Sequence, residues 1–405
     1  MTMMKYVILG NGIAGFTAAK TLRKQNLTCE ITVISEEEYS SYNRPMMTKA
    51  PLKGFNFANF IMKPPHWYEE QNITELTNSK IIELNAKQQT VLLADGRLIA
   101  YDKCIYALGA KSATPPIAGV NQEWVRHFRT LADVADLRKR QLSAKTAVVI
   151  GGGIVGLEAA WQLKRSGIKV TILEFNQALM QPLLDEAASQ VLEHGLVEAG
   201  IAVKTAAQVV KLSNAKQVLL QDGNSYSADL VILACGTRAN LEIAKQAGLN
   251  TEDAVIVDEK MQTSIPSIYA CGDCAKYQGI NHGVWEQAIK QAEVAAINAA
   301  GGQATYQGIQ KFALVNLANM SLLIAGELTD NATPCQAANR HEWSAYFTIN
   351  QPKTTSASYE KYFFADNCLS GCVLINNLHQ INVIKTAIHE KWSMKKFKDE
   401  VMNRC

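Results

Sequence analysis

At 405 residues the chain is long enough to bury the cores of two or three domains. Charged residues make up 19%, hydrophobic ones 48%, and the net charge of +3 is too small to argue for a nucleic-acid partner. No apolar run approaches a membrane span, and MTMMKYVILG leaves no room for a cleaved leader. The nine cysteines (29, 104, 235, 271, 274, 335, 368, 372 and 405) are too scattered for a secreted disulfide framework, so a cytoplasmic protein away from membranes is expected.

Lys5 to Glu36 carries the first organising pattern. Tyr6 to Leu9 is a short apolar run suited to a buried parallel strand. Gly10, Gly12 and Gly15 follow at once. Gly10 permits the tight turn, Gly12 lets backbone amides approach a pyrophosphate, and Gly15 lets the next helix pack on the strand. The helix N-terminus offers unpaired N–H groups and a positive dipole end to phosphate. A second strand, Ile31 to Ile34, ends at Ser35 and Glu36, where a carboxylate accepts from a ribose hydroxyl. In the following loop, EEYSSYNRPMMTKAPL, Arg44 and Lys49 offer positive charge to a pyrophosphate or an anionic ring. Residues 64–78 are expected to include a helix opened by Pro64 and Pro65, with His66, Trp67 and Tyr68 as packing residues.

From Lys80 the pattern changes to alternation around Asp95-Gly96, a hairpin signal, and closes on the apolar run Lys103 to Leu108 and Gly109. The whole arrangement then recurs. Thr146 to Ile150 is a strand, Gly151, Gly153 and Gly156 repeat the fingerprint, and Val170 to Leu173 ends at Glu174. Asp222-Gly223 marks a second hairpin, and another apolar strand ends in Gly236. One fingerprint is a weak signal, but two with the same acidic strand end and hairpin predict two dinucleotide sites. A helix near Leu241 to Ala247 and a β segment at 254–257 lead to IYACGDCA at 268–275. That segment reads as a strand running into Gly-Asp at the start of a helix, where Gly272 leaves room and Asp273 accepts from a polyol phosphate. A helix follows from Val284 to Ala299. The C-terminal segment reads as strand, turn, strand and helix, with Asp366-Asn367 in the turn. The fold class is α/β: two Rossmann-like nucleotide-binding domains plus a small α+β C-terminal domain.

The two fingerprints, the segment ending YALGA, RTLADVADL before the second fingerprint, and YACGDCA occur in order over residues 5–300. As a set they resemble the FAD-dependent pyridine nucleotide–disulfide reductase superfamily. The resemblance implies an FAD domain in two parts, 1–112 and 241–312, an NAD domain at 113–240, and a C-terminal domain at 313–405. The helix Ile13 to Lys24 and the loop Tyr39 to Leu52 hold no cysteine, so the dithiol relay and the single redox cysteine of relatives are both absent, and electrons must leave the chain. SEEEYSSYNRPMMTKAPL is similar to the corresponding segment of the rubredoxin and ferredoxin reductase branch. YEKYFFADNCLSGCVLI is similar to the C-terminal domain of NADH:rubredoxin oxidoreductases and nitrite-reductase flavoproteins. RPMMTK departs from the usual RPxLSK, and Ala239 stands where proline is usual.

Carried over by this resemblance, the FAD contacts are Gly10, Gly12, Ile13, Ala14, Gly15, Glu36 at the adenosine ribose, Arg44, Lys49, Ile82, Ala107, Gly109, Arg129, Asp273, and Trp285 near the isoalloxazine. Lys49 is implied to lie beside the flavin, paired with Glu158, as the catalytic pair. The NAD contacts are Gly151, Gly153, Ile154, Val155, Gly156, Glu174 and Gly236. Glu174 accepts from a free 2′-hydroxyl and repels a 2′-phosphate, so NADH is expected over NADPH. The expected function is hydride uptake from NADH by FAD and delivery of electrons to rubredoxin or ferredoxin, by a monomer or homodimer with no metal of its own. The alternatives are an NADH oxidase using dioxygen and a non-catalytic NADH-responsive sensor. Cys271 and Cys274 are either a redox pair or small buried residues. Lys391, Lys395, Lys396 and Lys398 either steer an acidic carrier or form a solvated helix.

Overall fold

The computed structural model describes residues 3–50, 52, 54, 56–64, 66–181, 183–328, 343–351 and 358–402, with 343–351 and 402 described as backbone. The chain divides into two compact units. The first comprises Met1–Met47, Asn56–Lys111 and Thr237–Ile309, and the second Thr48–Phe55, Ser112–Gly236 and Gln310–Cys405.

In the first unit, five strands form a parallel sheet in the order Ile268–Ala270, Lys103–Tyr106, Lys5–Leu9, Glu30–Ile34, Ile73–Leu76. The central strand Lys5–Leu9 is apolar and buried from Tyr6 to Leu9, because both of its faces are covered there. On one face lie the helices Ile13–Gln25 and Trp285–Ala299, packed together. Their contact is built from small side chains, among them Ala18, Ala19, Ala288, Ala292 and Ala295, all buried. That explains the alanine-rich run VAAINAA. The alternating segment forms a three-stranded antiparallel sheet, Ile81–Asn85, Thr90–Leu93 and Leu98–Ala100, with Asp95-Gly96 turning between the last two.

One expectation is met only by a short element and another needs correction. The helix within 64–78 is a single turn, Trp67–Glu70, and Ile73–Leu76 is a strand pairing in parallel with Glu30–Ile34. The short β-compatible ITEL run gains more by extending the sheet than one helical turn gains by lengthening. Pro65 lies outside the described residues. Gly272-Asp273 does not open a helix: it leads into Ala275–Tyr277, which pairs with Val255–Val257, and the helix begins only at Trp285. As expected, Trp67 and Tyr68 pack, with Trp67 at 5.0 Å from the Phe16 ring, whereas His66 is exposed beside Glu70.

The second unit repeats the architecture. Its parallel sheet runs Ala202–Lys204, Lys169–Leu173, Thr146–Ile150, Leu230–Leu233, Val125–Arg126, with the helix Ile154–Arg165 after the fingerprint. An antiparallel trio, Val209–Ser213, Gln217–Leu220 and Ser225–Ser227, turns at Asp222-Gly223. The same unit holds a five-stranded antiparallel sheet ordered Phe312–Leu317, Met320–Gly326, Cys368–Ile375, Ser358–Ala365, Trp343–Gln351. Asp366 and Asn367, at φ +48° and +61°, make the two-residue hairpin turn.

The helix Glu186–Glu198 joins these two sheets. Met320 lies against its Gly195, where a Cβ would have to displace the Met320 thioether. Asp185 caps the helix by accepting from the Ala188 N–H at 2.9 Å. It also accepts from the Tyr359 hydroxyl at 2.6 Å and the Lys361 Nζ at 3.0 Å, and Lys361 is 5% exposed. The C-terminal sheet is thereby tied to the second fingerprint sheet.

Of the described cysteines, all seven are free. Burial pushes the Cys271 thiol well up and the Cys274 thiol up to about 12, so both stay protonated at neutral pH. Cys335 and Cys405 lie outside the described residues. Among the described residues no helix is long and apolar enough to cross a membrane.

Candidate dinucleotide sites

The three glycines of each fingerprint do different work, and the structure separates them. Gly10 has φ +101°, and a Cβ there would stand 2.3 Å from the Ala107 carbonyl oxygen. A Cβ on Gly15 would stand 1.9 Å from the Gly10 oxygen. In the second copy Gly151 has φ +114° with 2.4 Å to the Ala234 oxygen, and Gly156 meets the Gly151 oxygen at 2.0 Å. These four glycines are required by the fold itself.

Gly12 and Gly153 are not. They are the N-caps of the two fingerprint helices, with ordinary extended backbones (φ −75° and −82°) and no side-chain cap. A Cβ on either would meet nothing within 4 Å. Neither conformation nor packing therefore asks for glycine, and the open space lies where the first helical N–H groups point outward. An anionic group approaching the backbone accounts for both choices. The residues present fit a pyrophosphate at each loop.

Around the first loop, Gly272, at φ +81°, packs 3.0 Å (from its would-be Cβ) from the Ala14 side chain, which brings the Gly-Asp segment to the start of the first helix. Arg44 donates to Glu37 at 2.7 Å and lies 4.8 Å over the Tyr42 ring, whose hydroxyl donates to the other Glu37 oxygen at 2.6 Å. Asp273 acts electrostatically on Arg44. Gly10, Gly12, Ile13, Ala14, Gly15, Arg44, Ala107, Gly109 and Asp273 thus belong to one unit with Ile82 and Trp285. Lys49 and Arg129 belong to the other. Glu37, which holds Arg44, was missed by sequence reasoning, although its place in the acidic run after the strand was a signal.

The strand-end carboxylates are not equivalent. The ladders pair Leu9 with Ile34 and Ile150 with Leu173, so Glu174 corresponds to Ser35 and not to Glu36. Glu36 is exposed, 3.7 Å from Lys80. Glu174 is buried and accepts from the Gly152 N–H at 2.5 Å and the Asn176 N–H at 2.7 Å.

Just beyond Glu174 opens a cavity of 620 Å³ lined in part by Phe175, Asn176, Gln208, Gln221 and Asp222. Among the described residues none that lines it is a cation, and Lys204 nearby acts on Asp222. If Glu174 accepts from the ribose of NADH, as the sequence leads one to expect, replacing it by alanine raises KM for NADH about tenfold, in keeping with the loss of a hydrogen bond to a charged group. It should also narrow the preference over NADPH. Steady-state kinetics with both nucleotides check this, and NADPH proving the better donor for the unaltered protein would contradict it.

The Lys49–Glu158 pair needs correction. The Glu158 carboxylate is buried and accepts from the Thr48 hydroxyl, while Gln162 donates to the Thr48 carbonyl at 3.0 Å. Lys49 instead donates to the Leu314 carbonyl at 3.3 Å. The neighbouring hydroxyl has taken the carboxylate, and Lys49 acts on Glu158 only through its charge. Burial raises the Glu158 pKa against the opposing pull of Thr48 and Lys49, and its second oxygen is buried with no hydrogen-bond partner among the described residues. Thr48 is a site residue that sequence reasoning passed over, since its partner lies 110 residues away.

Paired glycine cradles on repeated parallel sheets define a protein that handles two dinucleotides. The sequence matches the pyridine nucleotide-disulphide oxidoreductase family over residues 4–299, and the chain belongs to that family. FAD and NAD(H) are its two cofactors. The chain is 29% identical over 382 residues to the assimilatory nitrate reductase electron transfer subunit of Bacillus subtilis (strain 168), covering 93% of this chain and 48% of the relative. It therefore spans about half the length of that relative. It is 31% identical over 309 residues to the rubredoxin-NAD(+) reductase of Pseudomonas putida, covering 74% of this chain and 80% of the other. Among solved structures, NADH:rubredoxin oxidoreductase from Clostridium acetobutylicum is similar with a TM-score of 0.80, 26% identity and full coverage of both chains (100%).

Proposed function

We propose that this chain takes hydride from NADH and passes electrons, through FAD, to a small iron–sulfur carrier of the rubredoxin or ferredoxin kind. The observation that carries the reading is the pair of open glycine cradles at Gly12 and Gly153, joined to the absence of any cysteine in the helix and loop where related disulfide reductases keep theirs. The likeness to reductases of rubredoxin supports the choice of acceptor. When bound, FAD supplies a centre that accepts two electrons together and releases them singly.

In this reading residues 1–112 and 241–312 serve FAD, 113–240 serve NADH, and 313–405 form the C-terminal domain. Gly10, Gly12, Ile13, Ala14 and Gly15 shape the first cradle. Arg44, fixed by Glu37, balances phosphate charge, and Asp273 accepts from the polyol chain. Glu36, Ile82, Ala107, Gly109, Arg129 and Trp285 complete that site. Gly151, Gly153, Ile154, Val155, Gly156 and Gly236 shape the second, and Glu174 accepts from the ribose. Lys49 supplies positive charge to the electron-rich ring, and Glu158 sets the field around it. A cytoplasmic location belongs to the same proposal.

Replacing Lys49 by methionine tests the site. Anaerobic stopped flow should find NADH bleaching the flavin about 100-fold more slowly, the effect of losing one fixed electrostatic donor. An unchanged rate would remove Lys49 from the machinery.

A further inference from the structure

The two fingerprint loops are anchored differently. In the second copy the middle residue is Gly152, held through its backbone N–H by Glu174, the same carboxylate a ribose has to use. In the first copy the middle residue is Asn11, 7% exposed, and its anchor is its side chain. Asn11 Nδ2 donates to Glu75 Oε1 at 2.6 Å, and Asn11 Oδ1 accepts from the Tyr68 hydroxyl at 2.6 Å. Glu75 Oε2 accepts from the Ser40 hydroxyl at 2.9 Å. Glu75 sits on the third parallel strand, Ile73–Leu76, and Tyr68 on the one-turn helix before it. Nothing in this chain of bonds involves Ser35 or Glu36 at the end of the second strand.

We infer that Glu75, acting through Asn11, is a positioning residue for the first dinucleotide. It fixes the loop before the cofactor arrives and leaves the second strand's end free for it. Every polar atom of the Asn11 amide is already turned inward, so the backbone amides of Gly12 and its successors are presented outward without an ordering step on binding. This rests on the proposed assignment of FAD to the first site. Glu75 is half-buried, and that burial raises its pKa against the pull of Ser40 and Asn11.

The test is the rate of FAD release from purified holoenzyme, followed by the fluorescence of free flavin after dilution. Glu75→Leu should speed release about tenfold, as should Asn11→Gly, since each removes a hydrogen bond to a charged group. The double variant should be no faster than either, because the two residues act as one unit. Glu75→Gln, which still accepts from Asn11, should restore slow release, and the NADH dissociation constant should not change in any of them. Unchanged release in Glu75→Leu, or independent effects that multiply in the double variant, overturn the inference. If the unaltered protein holds no flavin, the FAD assignment fails and takes this one with it.

Discussion

Replacing Gly153 by valine removes reduction by NADH and leaves FAD in place. The Gly153 backbone is extended, a conformation valine accepts, and a Cβ there meets no atom within 4 Å. The folded protein therefore tolerates the change. The space that the side chain fills is the approach to the N–H groups of the helix Ile154–Arg165, so the nucleotide pyrophosphate is excluded. The expected loss in kcat/KM for NADH is at least about 100-fold, or about 2.7 kcal/mol of transition-state stabilisation. The matching change at Gly12 should give a folded protein that fails to hold FAD. Gly151→Val and Gly156→Val should instead damage folding, since their Cβ atoms would meet carbonyl oxygens at 2.4 and 2.0 Å. Flavin content, thermal midpoint and NADH kinetics separate the three behaviours. Normal NADH kinetics in Gly153→Val would show that the second cradle has been misread.

The second large effect is on stability. Asp185→Ala removes the carboxylate that accepts from the buried Lys361 ammonium and from the Tyr359 hydroxyl, and uncaps the helix Glu186–Glu198. Breaking a buried pair from one side costs about 3–5 kcal/mol. Lys361→Met, which removes the charge that needed pairing, should cost clearly less. The pH dependence follows from the same contacts. Burial alone would raise the Asp185 pKa, but the Tyr359 hydroxyl, the Ala188 amide and the Lys361 ammonium hold it below the usual carboxylate range. A depressed folded pKa means that the contribution is fully present above the unfolded value of about 3.9 and is lost as pH falls through the folded value. Urea unfolding at pH 7 and below pH 4 should therefore find the variant much weaker at the first and closer to the unaltered protein at the second. Equal stability at pH 7 would contradict this.

How much of this could be read from the chain depends on how far apart the partners lie. Gly10, Gly12 and Gly15 sit within one turn of one another, so their roles follow from local backbone geometry, and their repetition at Gly151, Gly153 and Gly156 shows up as a repeat. Asp95-Gly96 and Asp366-Asn367 mark turns for the same reason. Strand register is a property of pairs: that Glu174 matches Ser35 and not Glu36 emerges only from the ladders. Apart from Glu37 to Arg44, seven residues apart, the contacts that sequence reasoning lacked span long stretches of chain. Asn11 to Glu75 spans 64 residues, Thr48 to Glu158 spans 110, and Asp185 to Lys361 spans 176. The short ITEL segment belonged to a strand because a sheet edge was waiting for it, which no local propensity records.

The measurement that bears most directly on the function is an anaerobic double-mixing stopped-flow experiment, with NADH in the first mix and oxidised rubredoxin in the second. The account predicts loss of the flavin absorbance on the first mix and its rapid return on the second, together with reduction of the rubredoxin. A bleached protein that ignores rubredoxin and ferredoxin would contradict it: rapid return in air would then make the chain an NADH oxidase, and a bleached state lasting minutes would make it a sensor.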